Sequence, residues 1–309
     1  MAAEPVLAAI EVSVVQHHRP TDSAILSDYW ALTKPEVNFL IVVTTFAGFY
    51  LASATQSRDF PFLQLINTLL GTLLVASGAG TLNQYIERTH DAEMRRTSRR
   101  PLAAGRLNPM AVLGFGVALS AAGSIYLAAA VNGLASALAL FTLLSYLFVY
   151  TPLKRKTPLC TLVGAVPGAM PPLIGWTAAS GNLTGEALLL FAVLFLWQFP
   201  HFMAIAWMYR DDYDRAGYCV LPRGRARATF ASLQTLLPLL MLLPLSIFPT
   251  FAGSTTVFYL AGALVMSLGF LYYGAQFAFQ KSTSSARRLL AASIVYLPSL
   301  FALLMIFSR

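Results

Sequence analysis

Asn83, Glu87 and Asp91 stand four residues apart in the segment TLNQYIERTHDAEMRRTSRRPLAAGR. On a helix that spacing drifts by about 40° per step, so the three side chains form one stripe. An amide and two carboxylates on one face are oxygen donors suited to Mg²⁺, a hard ion that typically binds through one or two carboxylates and the phosphates of a substrate. Arg88, Arg95, Arg96, Arg99 and Arg100 lie alongside, and guanidinium forks match phosphate and carboxylate oxygens. A loop that only fixes topology needs the bases. It does not need acids at these positions beneath an Asn inside an apolar run.

A second constellation lies in LWQFPHFMAIAWMYRDDYDRAGYCVLP. His201 directly follows Pro200 within an apolar run, and ionisable residues inside membrane segments are costly and functional by default. The plainer reading is a structural histidine bonding a carbonyl freed by Pro200. Asp212, eleven residues on, is expected on the same helical face, with Ile205 and Met208 between. Asp211, Asp212 and Asp214 form a second acidic cluster, or else a solvated helix end. A third group, Lys154, Arg155 and Lys156, reads either as a positive anchor or as cations placed to hold an anion. Pro167, Pro171 and Pro172 with Gly164, Gly168 and Gly175 predict a bent helix with close neighbours.

The elements that must carry these residues are membrane helices. The chain has 309 residues, 57% hydrophobic and 11% charged, with a net charge of +8 and a mean hydropathy of +0.65. Soluble domains average about 25% charged residues, so a soluble enzyme, a nucleic-acid module, a disordered scaffold and a disulfide-rich secreted domain are excluded. The fold class is all-α: a polytopic bundle of nine transmembrane helices, over Val37–Ala54, Leu63–Tyr85, Pro109–Ala130, Leu134–Tyr150, Leu159–Ser180, Ala187–Tyr209, Phe230–Thr250, Thr255–Phe279 and Leu289–Phe307. Of 21 Lys and Arg, 19 fall on one side of this arrangement and only Arg58 and Arg309 on the other. The positive-inside rule then places the N-terminus in the cytoplasm and the C-terminus outside. Residues 1–28 read as a disordered cytoplasmic tail without a cleaved signal peptide, and 29–309 as one membrane domain. Cys160 and Cys219 read as bystanders.

Several motifs carry a resemblance. NQYIERTHDAEMRRTSRRPLAAGR, TKP at 33–35, YTPLKR and QFPHFMAIAWMYRDDYDRAGY strongly resemble the protohaem IX farnesyltransferase (haem O synthase) branch of the UbiA-type intramembrane prenyltransferases. The resemblance runs from about Tyr29 to the last helix. It implies nine helices around a central cavity capped by loops on the cytoplasmic side of the inner membrane. It also implies farnesyl diphosphate as donor, Mg²⁺ as cofactor and haem b as acceptor at one vinyl group, giving haem O. A downstream haem A synthase is an open candidate partner; nucleic acid is not expected. Many UbiA-type enzymes carry a second D-x3-D, where this chain has Tyr209 and Tyr213 around Asp211 and Asp212. Glu36 stands where many relatives have a basic residue.

On this reading Asn83, Glu87 and Asp91 hold the metal, while Arg88, Arg95, Lys154, Arg155, Asp211 and Asp212 serve the diphosphate end. His201 is expected at the haem end, as axial ligand or as the base that activates water, with Arg96, Arg100 and Tyr209 beside the porphyrin. Two rivals share some of these features. A quinone-pathway aromatic prenyltransferase would use the same donor chemistry, but FPHF and YRDDY argue against it. A secondary transporter would place its charges near the midplane, whereas these acids gather at one face.

Overall fold

The computed structural model describes residues 22–54 and 59–308. His17, His18, Arg19, Arg58 and Arg309 lie outside the described residues. Helix α1 spans Asp22–Leu32, so the chain is helical from Asp22, inside the stretch expected as tail. The helices that follow are α2 (Pro35–Ala54), α3 (Phe62–Asp91), α4 (Pro109–Ala130), α5 (Gly133–Leu144), the single turn α6 (Thr151–Leu153), α7 (Cys160–Gly168), α8 (Pro171–Ser180), α9 (Gly185–Met208), α10 (Arg210–Arg215), α11 (Ala226–Phe251), α12 (Val257–Gln280) and α13 (Thr283–Phe307). A π-helical segment, Ser145–Tyr150, joins α5 to α6. Together α5 to α6 make one span and α7 with α8 another, giving nine helices long and apolar enough to cross a membrane among the described residues.

Local chemistry sets the boundaries. Asn108 caps α4 by accepting from the amides of Met110 and Ala111, with Pro109 at the first helical position. Asn132 caps α5 through the Ala135 amide. Gly181 adopts a left-handed conformation, φ +75°, that ends α8. The expected bend in the fifth span is present as the break between α7 and α8, just before Pro171.

Polarity is distributed as lipid requires. Phe39, Val265 and Phe279 stay exposed, while Asn38, Thr68, Thr72, Thr81 and Asn83 are buried between helices. Small residues let backbones touch: a side chain at Gly48 would strike the Pro172 carbonyl, and one at Gly175 the Thr45 carbonyl, so α2 and α8 cross closely. Counting spans, every Lys and Arg among the described residues lies at one end of the bundle, where α2 begins and α3, α6 and α9 finish.

Candidate active site

The stripe forms as expected on the last turns of α3, which runs on to Asp91, past the Tyr85 limit read from hydropathy. Asn83, Glu87 and Asp91 are all buried. Asn83 Nδ2 donates to Glu87 Oε2 at 3.0 Å and toward Thr151 Oγ1 at 3.3 Å. Each member of the stripe meets a cation from a different segment. Lys34 Nζ donates to Asn83 Oδ1 at 3.0 Å. Lys154 Nζ donates to Glu87 at 2.9 and 3.1 Å, and Arg100 to Asp91 Oδ2 at 2.7 Å.

The surrounding backbone explains why these cations arrive. The α1–α2 junction is pinned to α3 by Gln84, which donates to the Leu32 carbonyl, and by Asn38, which donates to the Thr33 carbonyl and to Ser77. Lys34 sits in that junction with φ +54°, a strained conformation for a residue other than glycine. The loop after α3 folds back on the helix end, where Thr97 donates to the Asp91 carbonyl at 2.8 Å. The Cys219 amide donates to the Lys154 carbonyl at 2.6 Å, bringing the loop after α10 onto the same site.

The electrostatics are those of a stripe surrounded by cations. Burial, with Arg100 and Lys154 nearby, pulls the Lys34 ammonium down to about 7. Burial acts the same way on Lys154, but Tyr150 and Glu87 beside it outweigh that and hold it well above the ordinary lysine value. Burial, with Glu87 adding to it, pushes the Tyr218 phenol up; its hydroxyl is enclosed without a well-formed hydrogen bond. Lys34 and Tyr218 are the members that sequence reasoning did not place in the site. The only signal for Lys34 was the TKP motif.

The remaining candidates divide. Arg96 stacks over Tyr209 and Tyr213, 5.0 and 5.5 Å from their centroids, and donates to the Tyr213 hydroxyl at 3.0 Å. Arg88 turns back onto its own helix, donating to the Tyr85 carbonyl. Arg95 and Arg155 are exposed. Asp211 is also exposed and only 3.9 Å from Arg210, whereas Asp212 is buried and pairs with Arg215 at 3.2 Å.

His201 and Asp212 do not share a helical face. The helix stops at Tyr209, φ −110° and ψ 20°, and α10 starts anew at Arg210. His201 contacts α13 instead, with Nδ1 2.8 Å from Ser293 Oγ. It lies seven residues before the end of α9, about 10 Å along the axis at 1.5 Å per residue.

Among the described residues no three His, Cys, Asp or Glu side chains cluster as a metal cage. The stripe fits Mg²⁺ in another way. It supplies one amide and two carboxylates, and Asp91 Oδ1 is buried with no hydrogen-bond partner, leaving ligand positions for substrate phosphates.

Residues 41–301 match the UbiA prenyltransferase family. The chain belongs to that family. Among similar sequences, a protoheme IX farnesyltransferase from Solibacter usitatus (strain Ellin6076) is 45% identical over 287 residues, covering 91% of this chain and 98% of that one. Another so named, from Koribacter versatilis (strain Ellin345), is 42% identical over 301 residues, covering 93% and 95%. A digeranylgeranylglyceryl phosphate synthase structure shares the UbiA fold with a TM-score of 0.72 at 17% identity, covering 91% of this chain and 97% of that one. A UbiA homologue from Archaeoglobus fulgidus, bound to GPP and Mg²⁺, aligns with a TM-score of 0.59 at 16% identity, covering 90% and 99%. This UbiA-family chain, with nine apolar spans among the described residues, is a multi-pass membrane protein.

Proposed function

We propose that this chain transfers the farnesyl group of farnesyl diphosphate to a vinyl group of haem b, with addition of water, giving haem O. The observation that carries the reading is the convergence of Lys34, Lys154 and Arg100 on one buried oxygen stripe, in a chain over 40% identical to proteins named for this activity.

Asn83, Glu87 and Asp91 would hold Mg²⁺, which supplies charge neutralisation at the diphosphate when bound. Lys34, Lys154 and Arg100 donate to the leaving diphosphate as negative charge develops on it, exchanging their present partners for phosphate oxygens. Arg95, Arg155 and Arg88 lie at the rim of this end and draw the anionic donor toward it. Asp211 and Asp212 serve the same end, Asp212 by holding Arg215 in place. The carbon–oxygen bond of the donor breaks, and the vinyl carbon forms a new bond to the electron-poor allylic carbon. Water adds to the resulting porphyrin-stabilised cation and loses a proton. His201 serves the haem end, deeper in the bundle than the charged stripe. Arg96 and Tyr209, stacked together, border the porphyrin, and Arg100 serves the donor end instead. The excess of bases at the stripe end favours the cytoplasm for that end, the inner membrane for the protein and an external C-terminus.

Purified protein supplied with farnesyl diphosphate and Mg²⁺ tests this reading directly. It should release diphosphate with haem b as acceptor and not with an aromatic acid. Turnover with the aromatic acid and none with haem b would replace it with the quinone-pathway alternative.

A further inference from the structure

His201 is held on three sides. Its Nδ1 meets Ser293 Oγ at 2.8 Å. Its ring stacks on Trp197 with centroids 4.7 Å apart and planes 26° from parallel, and Phe202 meets it nearly edge-on at 5.7 Å. Trp197, Gln198 and Ala204, one turn either side on the same face of α9, are buried. The imidazole therefore faces the bundle and not lipid.

Ser293 bears on where the imidazole proton sits. A serine hydroxyl has a single hydrogen. Ser293 Oγ donates that hydrogen to the Leu290 carbonyl on its own helix at 2.6 Å. While that hydrogen stays on the Leu290 carbonyl, the oxygen accepts from His201 Nδ1, the arrangement in which Nε2 carries the lone pair. Ser293 is 0% exposed, which leaves water no access to replace it. Trp197 Nε1 donates to the Ser293 carbonyl at 2.8 Å, so one residue both stacks on the histidine and anchors its proton acceptor. Among the described residues Nε2 has no hydrogen-bond partner, and it is not among the polar atoms sealed inside the protein. Its lone pair is uncommitted among those residues.

We propose that Ser293, braced by Trp197, is a positioning residue that fixes His201 as its Nδ1–H tautomer and presents Nε2 to the iron of the porphyrin acceptor. This deepens, and rests on, the reading of His201 as a haem-end residue. Histidines that ligate metals generally donate their other ring N–H to an acceptor, which sets the tautomer and strengthens the donor nitrogen. A hydroxyl whose hydrogen is already committed performs that task.

Two measurements on the full chain in lipid bilayers test it. The chain has four histidines, so ¹⁵N-histidine labelling with His201→Ala as the assignment control reads this tautomer without any substrate. Wild type and Ser293→Thr should show Nδ1–H, and Ser293→Ala should move toward Nε2–H. Titration with ferric haem should give a histidine-ligated spectrum in wild type and Ser293→Thr. Haem affinity should fall about tenfold in Ser293→Ala, with farnesyl diphosphate affinity within about twofold of wild type as the sign of an intact fold. Nε2–H in wild type, or a tautomer and haem spectrum indifferent to Ser293→Ala, overturns the proposal. A haem spectrum unchanged in His201→Ala overturns the haem-end reading itself, and the ligand assignment with it.

Discussion

Lys154 donates to both carboxylate oxygens of Glu87, at 2.9 and 3.1 Å, and so ties the segment after the fourth span to the stripe at the end of the second. Both side chains are mostly buried, 14% and 8% exposed. A buried ion pair is a weak source of stability, because desolvation offsets most of the attraction and an apolar pair of similar volume often does as well. Its value here is functional. Charges already paid for in desolvation can change partners when an anionic donor arrives.

Removing one partner should therefore cost more than removing both. Lys154→Met leaves the buried Glu87 carboxylate without its ion-pair partner, with the Asn83 amide still donating to it, and should lower stability by about 3 to 5 kcal/mol, seen as a lower melting temperature. Adding Glu87→Gln should recover much of that loss without recovering activity. A double variant no more stable than the single one would show that the pair is not what the charge costs.

Asp91→Asn and Glu87→Gln should each abolish haem O formation while leaving membrane insertion intact. Both keep side-chain volume and remove a carboxylate from the stripe. Chelation of Mg²⁺ should reproduce the effect in wild type. Turnover at the wild-type rate in either variant, over a range of Mg²⁺ concentrations, would remove that residue from the metal site.

Lys34 predicts a pH dependence. Its ammonium is held down to about 7 by burial and by Arg100 and Lys154. A bound diphosphate favours the charged form and raises that value, so binding takes up a proton at pH above 7. Farnesyl diphosphate affinity should then fall as pH climbs through this window. Calorimetry of wild type against Lys34→Arg, which keeps its charge throughout, isolates the contribution: the wild-type slope should be steeper. Parallel slopes would exclude Lys34 from the donor site.

What the sequence discloses depends on distance along the chain. The Asn83, Glu87 and Asp91 stripe is legible because four-residue spacing is a local property of a helix, and the nine spans because apolar runs of this length have few other uses. The shared face of His201 and Asp212 is misread because the chain leaves helical geometry at Tyr209. Asp211 and Asp212 instead occupy the first turn of α10, where acids suit a helix N-terminus. Lys34 escapes notice as a site residue because its approach to Asn83 depends on the α1–α2 junction, whose two anchors lie on α3. Ser293 carries no signal at all: it is one small residue among several in the last span, 92 positions from its partner.

Topology offers an independent check. A reporter after Arg309 should read as external and one near Arg225 as cytoplasmic, since every Lys and Arg among the described residues lies at the end of the bundle that carries Arg225. A cytoplasmic C-terminus would require a different number of crossings.

The product decides whether this chain makes haem O. Mass spectrometry of haem extracted from membranes of cells otherwise lacking this activity should show haem O, carrying a hydroxyethylfarnesyl group, only when the chain is expressed. Haem b alone in membranes that contain the folded wild-type protein, with farnesyl diphosphate present, would mean that the chain does not farnesylate haem.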